Sequence, residues 1–244
     1  MVTLSSDDPV AVALVEAIHA GDLQALDRLL GEHPGIGSAR IGDDKGRSGT
    51  LLHTASDWPG HFSNGAAVIA ALIQAGADPN AAVVGQWHAE TPLHWAASSD
   101  DLQALDALLD AGADIEAPGA SVGGGSPLDD AVGYGQWRAA HRLVERGART
   151  RLWHAAALGL MDRVEEAFTH TPPPSPQEIN GALWQACHGG QRRSAQYLLG
   201  RGADLNWVAG WDGRTPLDIA REAGAEDVVG WLRGQRARSA SELC

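Results

Sequence analysis

The segment Thr91-Pro-Leu-His-Trp-Ala-Ala97, followed by Leu108-Leu-Asp-Ala-Gly-Ala-Asp114, decides the fold, because worn copies of it recur along nearly all of the 244-residue chain. From the second Ala-type position of each TPLHxAA-like segment to the Gly of the Gly-Ala-Asp-like segment, three copies keep a spacing of fifteen residues: Ala97 to Gly112, Val132 to Gly147 and Cys187 to Gly202. Ser56 to Gly76 is longer by five, which predicts an enlarged loop at Trp58-Pro-Gly-His-Phe-Ser63 between two helices. A first copy, Leu14 to Asp22 with Leu29 and Leu30, lacks the polar hallmark, as expected of a terminal repeat that caps a stack. The copy Thr215-Pro-Leu-Asp-Ile-Ala220, with Val228 to Leu232, closes the other end.

The local physics is that of paired helices. Thr before Pro caps a helix whose first turn can spare an N–H. Small Ala residues let neighbouring helices approach, and Gly112, Gly147 and Gly202 end the second helices. No such unit buries its apolar face alone, so each must stack on its neighbours.

This pattern resembles the ankyrin repeat family over about residues 8 to 234. A Thr-Pro helix start, a Leu-Leu pair on a second helix and a Gly-Ala-Asp turn at a period of roughly 33 residues form a specific signature. The resemblance implies an all-α solenoid of about seven helix-turn-helix repeats with loop or β-hairpin fingers. It is read as one domain, residues 1–234, with an N-cap repeat at about 8–40, a C-cap repeat at about 207–234 and a tail, 235–244, taken as a frayed end.

Composition narrows the function classes. A net charge of −13 with a single lysine, Lys45, argues against binding a phosphate backbone, which needs Lys and Arg. The same acidity serves solubility or steers toward a basic partner. Two cysteines, Cys187 and Cys244, offer neither a disulfide framework nor metal-type spacing and fit a reducing cytoplasm. The start, Met1 to Asp8, has no basic region before its apolar residues, and no apolar run reaches membrane-spanning length. Ala, Gly and Arg usage suggests a bacterial coding bias. No cofactor motif is present: Gly123-Gly-Gly125 lacks the lysine of a phosphate loop.

The stack is interrupted twice. Gly147 to Thr150 runs directly into Leu152, leaving no room for a finger, and Thr171-Pro-Pro-Pro-Ser-Pro176 predicts a stiff, extended connector. Long fingers are expected at Val83 to Glu90, carrying Trp87 and His88, at Gly119 to Ser126, and at Trp207 to Arg214 with Trp211.

Aligning the copies maps one face. In the resembled family the position after the TPLH His points to the concave side; here it reads Glu16, Thr54, Trp95, Asp130, His154, Gln185 and Ile219. Further along come Asp57 and His188, then Trp58 and Tyr134. The candidate ligand- or partner-binding residues are therefore Asp57, Trp58, Trp87, His88, Trp95, Tyr134, His188 and Trp211. Should the protein be an enzyme, Asp130 and His154 are the candidate catalytic pair, since a carboxylate that orients an imidazole is the minimal acid–base unit. His53 and His94 match the family histidine that ties one repeat's turn to the next. No metal site is expected: His61, His88 and Asp57 lack metal-ligand spacing. Cys187, at a small packing position, is expected to be buried and inert.

Two functions follow. The first, which the family resemblance implies, is a non-catalytic binding or adaptor protein that holds a protein partner, a basic one given the charge. The alternative is a small-molecule binder, or an acid–base hydrolase, lyase or isomerase, with a pocket around Trp95, Asp130 and His154.

Overall fold

Each first helix of the repeats begins where a short polar cap meets an apolar run. In the computed structural model, which describes residues 2–243, fourteen α-helices form seven successive pairs. Met1 and Cys244, and with them the expectations on the chain start and on the second cysteine, lie outside the described residues. The chain divides into two compact units, Met1–Ala148 and Arg149–Cys244, and the boundary falls where the sequence leaves out a finger.

The first unit holds α1 (Pro9–Ala20), α2 (Leu23–Glu32), α3 (Leu51–Ser56), α4 (Gly65–Gln74), α5 (Pro92–Ser98), α6 (Leu102–Asp110), α7 (Pro127–Gly133) and α8 (Trp137–Glu145). First helices pack in the row α1, α3, α5, α7, and second helices in the row α2, α4, α6, α8. The core holds fully buried Leu52, Leu93, Leu105, Leu108, Leu128 and Leu143, with Ala96, Ala97 and Ala131 buried on the first helices. Truncating one such leucine to alanine costs about 2–5 kcal/mol.

One finger is a true hairpin, β2 (Arg40–Gly42) against β3 (Ser48–Thr50), turned at Asp43, whose Oδ1 accepts from the N–H groups of Lys45 and Arg47. An N-terminal strand β1 (Thr3–Ser5) adds to it in parallel, an element the sequence reading lacks. A bridge from Ser48 to Val84 carries the pairing to the next finger.

The second unit holds α9 (Leu152–Ala157), α10 (Met161–Ala167), α11 (Pro176–His188), α12 (Arg192–Gly200), α13 (Pro216–Glu222) and α14 (Glu226–Gly234). Its core joins Leu183, Cys187, Leu198, Leu217, Val228 and Leu232. The proline segment ends as a helix start: Pro176 is the first residue of α11, and Ser175 and Glu178 form its capping box. At thirteen residues α11 is longer than the other first helices of its unit.

The tail corrects the expectation of a frayed end. Ala237 and Ser239 are buried, the Ala240 N–H donates to Asp218 Oδ2 at 2.8 Å, and Arg233 donates to both carboxylate oxygens of Glu242. The polar tail has no apolar periodicity to betray this docking; its anchors are backbone donors and one ion pair.

Candidate functional site

The repeat turns show first what the histidines do. His53 Nδ1 accepts from the Thr50 N–H at 3.1 Å, so its Nε2–H donates to the Glu90 carbonyl at 3.1 Å on the next finger. His94 repeats the arrangement with Thr91 and the Gly125 carbonyl. In the fourth repeat Asp129 takes this place and accepts from the Ser126 N–H and hydroxyl; in the last, Asp218 accepts from those of Thr215.

His154 belongs to the same series, which corrects the register read for the fifth repeat. Counted from the downstream glycine, Trp153 falls on the TPLH histidine position and His154 on the next. The structure puts His154 at the third position of α9, where its Nδ1 accepts from the Arg151 N–H at 3.1 Å, as His94 does from Thr91. The helix is one residue shorter than α5, and the shortening shifts the count. Burial depresses His154 to about 3 and His53 to about 4, so both rings are neutral. Asp130 lies in the first unit and His154 in the second.

Four of the sequence-derived residues share one cavity of about 450 Å³ within the first unit: Asp57, Trp58, Trp95 and Tyr134. Asp57 and Trp58 follow α3, Trp95 stands on α5, and Tyr134 caps the end of α7. Ser98 and Ser99, at the end of α5, also line it, and three residues outside the aligned helix positions complete the polar wall: Glu90, Ser121 and Gln136. Each flanks a helix start or sits on a finger, so an alignment restricted to helix positions passes over them.

Trp95 packs edge-on against His53, ring centroids 4.9 Å apart, and its Nε1–H donates to Glu90 at 3.3 Å. Beneath, Asp130 is fully buried on α7. Its Oδ1 accepts from the Ser121 hydroxyl at 2.8 Å and the Val122 N–H at 2.9 Å. Gly133 permits that approach: a Cβ there would lie 2.6 Å from Val122 Cγ2. Burial pushes Asp130 up to about 7, Val122 and Ser121 pull it back, and the negative charge of Glu90 adds to the rise. Ionised, the two carboxyls are both acceptors and leave Asp130 Oδ2 without a hydrogen-bond partner; protonated, Asp130 gains a donor to offer Glu90. Asp57 is also raised, by burial.

The other selected residues lie elsewhere. Trp87, fully exposed, and His88 occupy the finger between Val83 and Glu90, whose ends are joined by the Val83 N–H and the Glu90 carbonyl at 2.8 Å. His188 and Trp211 belong to the second unit and flank Trp184, with ring centroids 5.5 and 5.4 Å away, while Trp207 meets Trp211 at 5.3 Å. His61 is held at Asp101, whose Oδ2 accepts the His61 N–H at 2.6 Å. Among the described residues no three His, Cys, Asp or Glu side chains group as metal ligands. Cys187 is buried, its thiol pushed up to about 12 by that burial.

The comparisons agree with this architecture. The ankyrin repeat family model matches residues 89–120, which contain Trp95 and the deciding TPLH segment. Mouse palmitoyltransferase ZDHHC13 is 33% identical over 81 residues, 31% of this chain, and the chain spans only 13% of that protein. Human ASB11, in the crystal structure of its ankyrin repeat domain, shares the fold at a TM-score of 0.53 and 22% identity, with 90% of this chain and 96% of that domain covered. Residues 89–120 thus match an ankyrin repeat, and the chain has the fold of an ankyrin repeat domain. Among the described residues no helix is long and apolar enough to cross a membrane.

Proposed function

We propose that the protein is a non-catalytic binding module that holds a partner protein on the ring and acid side chains of its first unit. The observation that carries this reading is Trp58, 77% exposed, standing at the mouth of a cavity that also presents Trp95, Tyr134, Glu90 and Asp57. Large rings left in solvent are uncommon on a surface with no partner, and Trp and Tyr dominate the energetics of protein interfaces. Trp87, on the finger that ends at Glu90, is fully exposed as well. A reducing cytoplasm suits the free thiol of Cys187 and belongs to the same proposal. The neutral, buried state of His154 favours binding over acid–base chemistry.

The test is affinity capture from the source organism with the wild type and a Trp58→Ala/Tyr134→Ala double variant. A protein retained by the first and lost from the second, at unchanged thermal unfolding, supports the reading. Capture that ignores both rings defeats it.

A second reading, a small-molecule binder, is favoured by the cavity volume, which falls in the range of about 300–1,000 Å³ typical of ligand pockets. A metabolite that raises the melting temperature of the wild type and not of Glu90→Gln would favour it.

A further inference from the structure

Donors and acceptors around the cavity are unequally engaged. Trp95 Nε1–H is held by Glu90 at 3.3 Å, and the Ser98 hydroxyl by carbonyls of its own helix, those of His94 and Trp95, at 3.0 and 3.1 Å. Gln136 donates to the Ser98 carbonyl at 3.0 Å and Ser99 to the Ser56 carbonyl at 3.5 Å. Ser121 gives its one proton to Asp130, so the Tyr134 hydroxyl, 2.8 Å away, donates to Ser121. Trp58, on its exposed ring, keeps an indole N–H for solvent, and the second amide hydrogen of Gln136 is the other side-chain donor left over.

The acceptors are in surplus. Glu90 accepts one hydrogen bond, from Trp95, and Asp57 accepts one, from the Trp58 N–H. Behind Glu90 lies the buried Asp130. No lysine or arginine lines the cavity. An anion meets like charge there, and a neutral carbonyl finds almost no free donor. A group that brings its own donors and positive charge meets both carboxylates and the faces of aromatic rings, the surroundings that hold organic cations.

We propose that this cavity is a subsite for an organic cation, the ammonium or guanidinium end of a basic side chain that a partner protein inserts among Trp58, Trp95 and Tyr134. The proposal rests on the protein-binding reading above and adds the chemistry of the group held. The acidity of the whole chain, −13, works in the same direction by drawing basic surfaces toward it.

The test titrates the full-length protein, by calorimetry at low ionic strength, with Nα-acetylated amides of lysine, trimethyllysine and arginine, and with the norleucine amide as the neutral control. The cationic amides are expected to bind at least ~10-fold more tightly than norleucine, and added salt to weaken them. Glu90→Gln and Trp58→Ala should each lower that affinity by about 10-fold, Trp58→Ala without moving the thermal unfolding curve. Norleucine binding as well as lysine, cation affinity indifferent to both substitutions, or no cation binding at all would each overturn the assignment. A parallel arm compares a short lysine-centred peptide with free tetramethylammonium. Tighter binding of the peptide supports a protein side chain, and equal or tighter binding of the free ion overturns that source in favour of a small amine. If the captured partner is lost from Trp58→Ala/Tyr134→Ala yet kept by Glu90→Gln, protein binding stands and the cation assignment fails.

Discussion

The hydroxyl of Ser121 lies 2.8 Å from Asp130 Oδ1 and donates to it, so a finger residue secures one oxygen of a carboxyl that α7 keeps fully buried. The other oxygen has only Glu90 to answer it, and two ionised carboxylates cannot answer each other.

A definite pH dependence follows. Asp130 is raised from 3.8 to about 7, so between those values the folded protein holds a proton that the unfolded chain has lost. The associated stability is complete below 3.8 and disappears as pH rises through about 7. Asp130→Asn keeps an acceptor for Ser121 and Val122 and removes the charge. Relative to wild type it should gain roughly 1–3 kcal/mol in unfolding free energy on going from about pH 5 to about pH 8. Urea denaturation at the two pH values measures this, and parallel behaviour of the two proteins would contradict it.

The turn histidines act with the opposite sign. His53 is depressed from 6.5 to about 4 and His154 from 6.5 to about 3, in both cases first by burial. Their stabilising contribution is present above pH 6.5 and is lost as pH falls toward those folded-state values, because the unfolded chain takes up protons first. Melting temperature should decline below pH 6.5, the two histidines together outweighing the opposite trend of Asp130. His53→Gln and His154→Gln, which retain a side-chain acceptor, should each flatten the decline in melts recorded between about pH 4 and 7.

Removing the tail should destabilise the second unit. Deletion from Arg236 onward takes away Ala237, Ser239, the Ala240 N–H that Asp218 accepts and the partner of Arg233. Hydrogen exchange should quicken in α13 and α14, whereas a frayed end would leave the exchange pattern unchanged.

Gly133→Val probes how the cavity is walled. The new side chain meets Val122 and drives the finger off α7, detaching Ser121 and the Val122 N–H from Asp130. A loss of about 1–3 kcal/mol is expected from the overpacking. Fluorescence quenching of Trp58 and Trp95 by iodide should rise as the cavity opens.

Much of this was legible in the sequence, for reasons that particular residues make plain. Thr91-Pro-Leu-His94 encodes its own helix start, because Thr caps, Pro fits the first turn and His returns to the backbone of Thr91. Local chemistry of that kind survives in a linear reading. Asp57, Trp58, Trp95 and Tyr134, which line the cavity, were selected because aligning the repeats puts them at three positions of one face. Glu90 and Ser121 were not, since fingers have no periodicity and their side chains acquire direction only when Val83 pairs with Glu90 and Ala120 with Gly125. His154 was misplaced by a single residue because α9 is short, a fact carried by no residue type. The docked tail depends on Asp218 and Asn206 reaching backbone N–H groups far along the chain, which pattern alone does not announce.

The hairpin turn at Asp43 carries an exposed Lys45, the one lysine in the sequence. Amine-reactive dyes, photo-crosslinkers and immobilisation resins aimed at ε-amines therefore have a single side-chain address. A probe attached at that tip gives every molecule the same orientation on a sensor surface, and a uniform geometry is what a quantitative search for its partner requires.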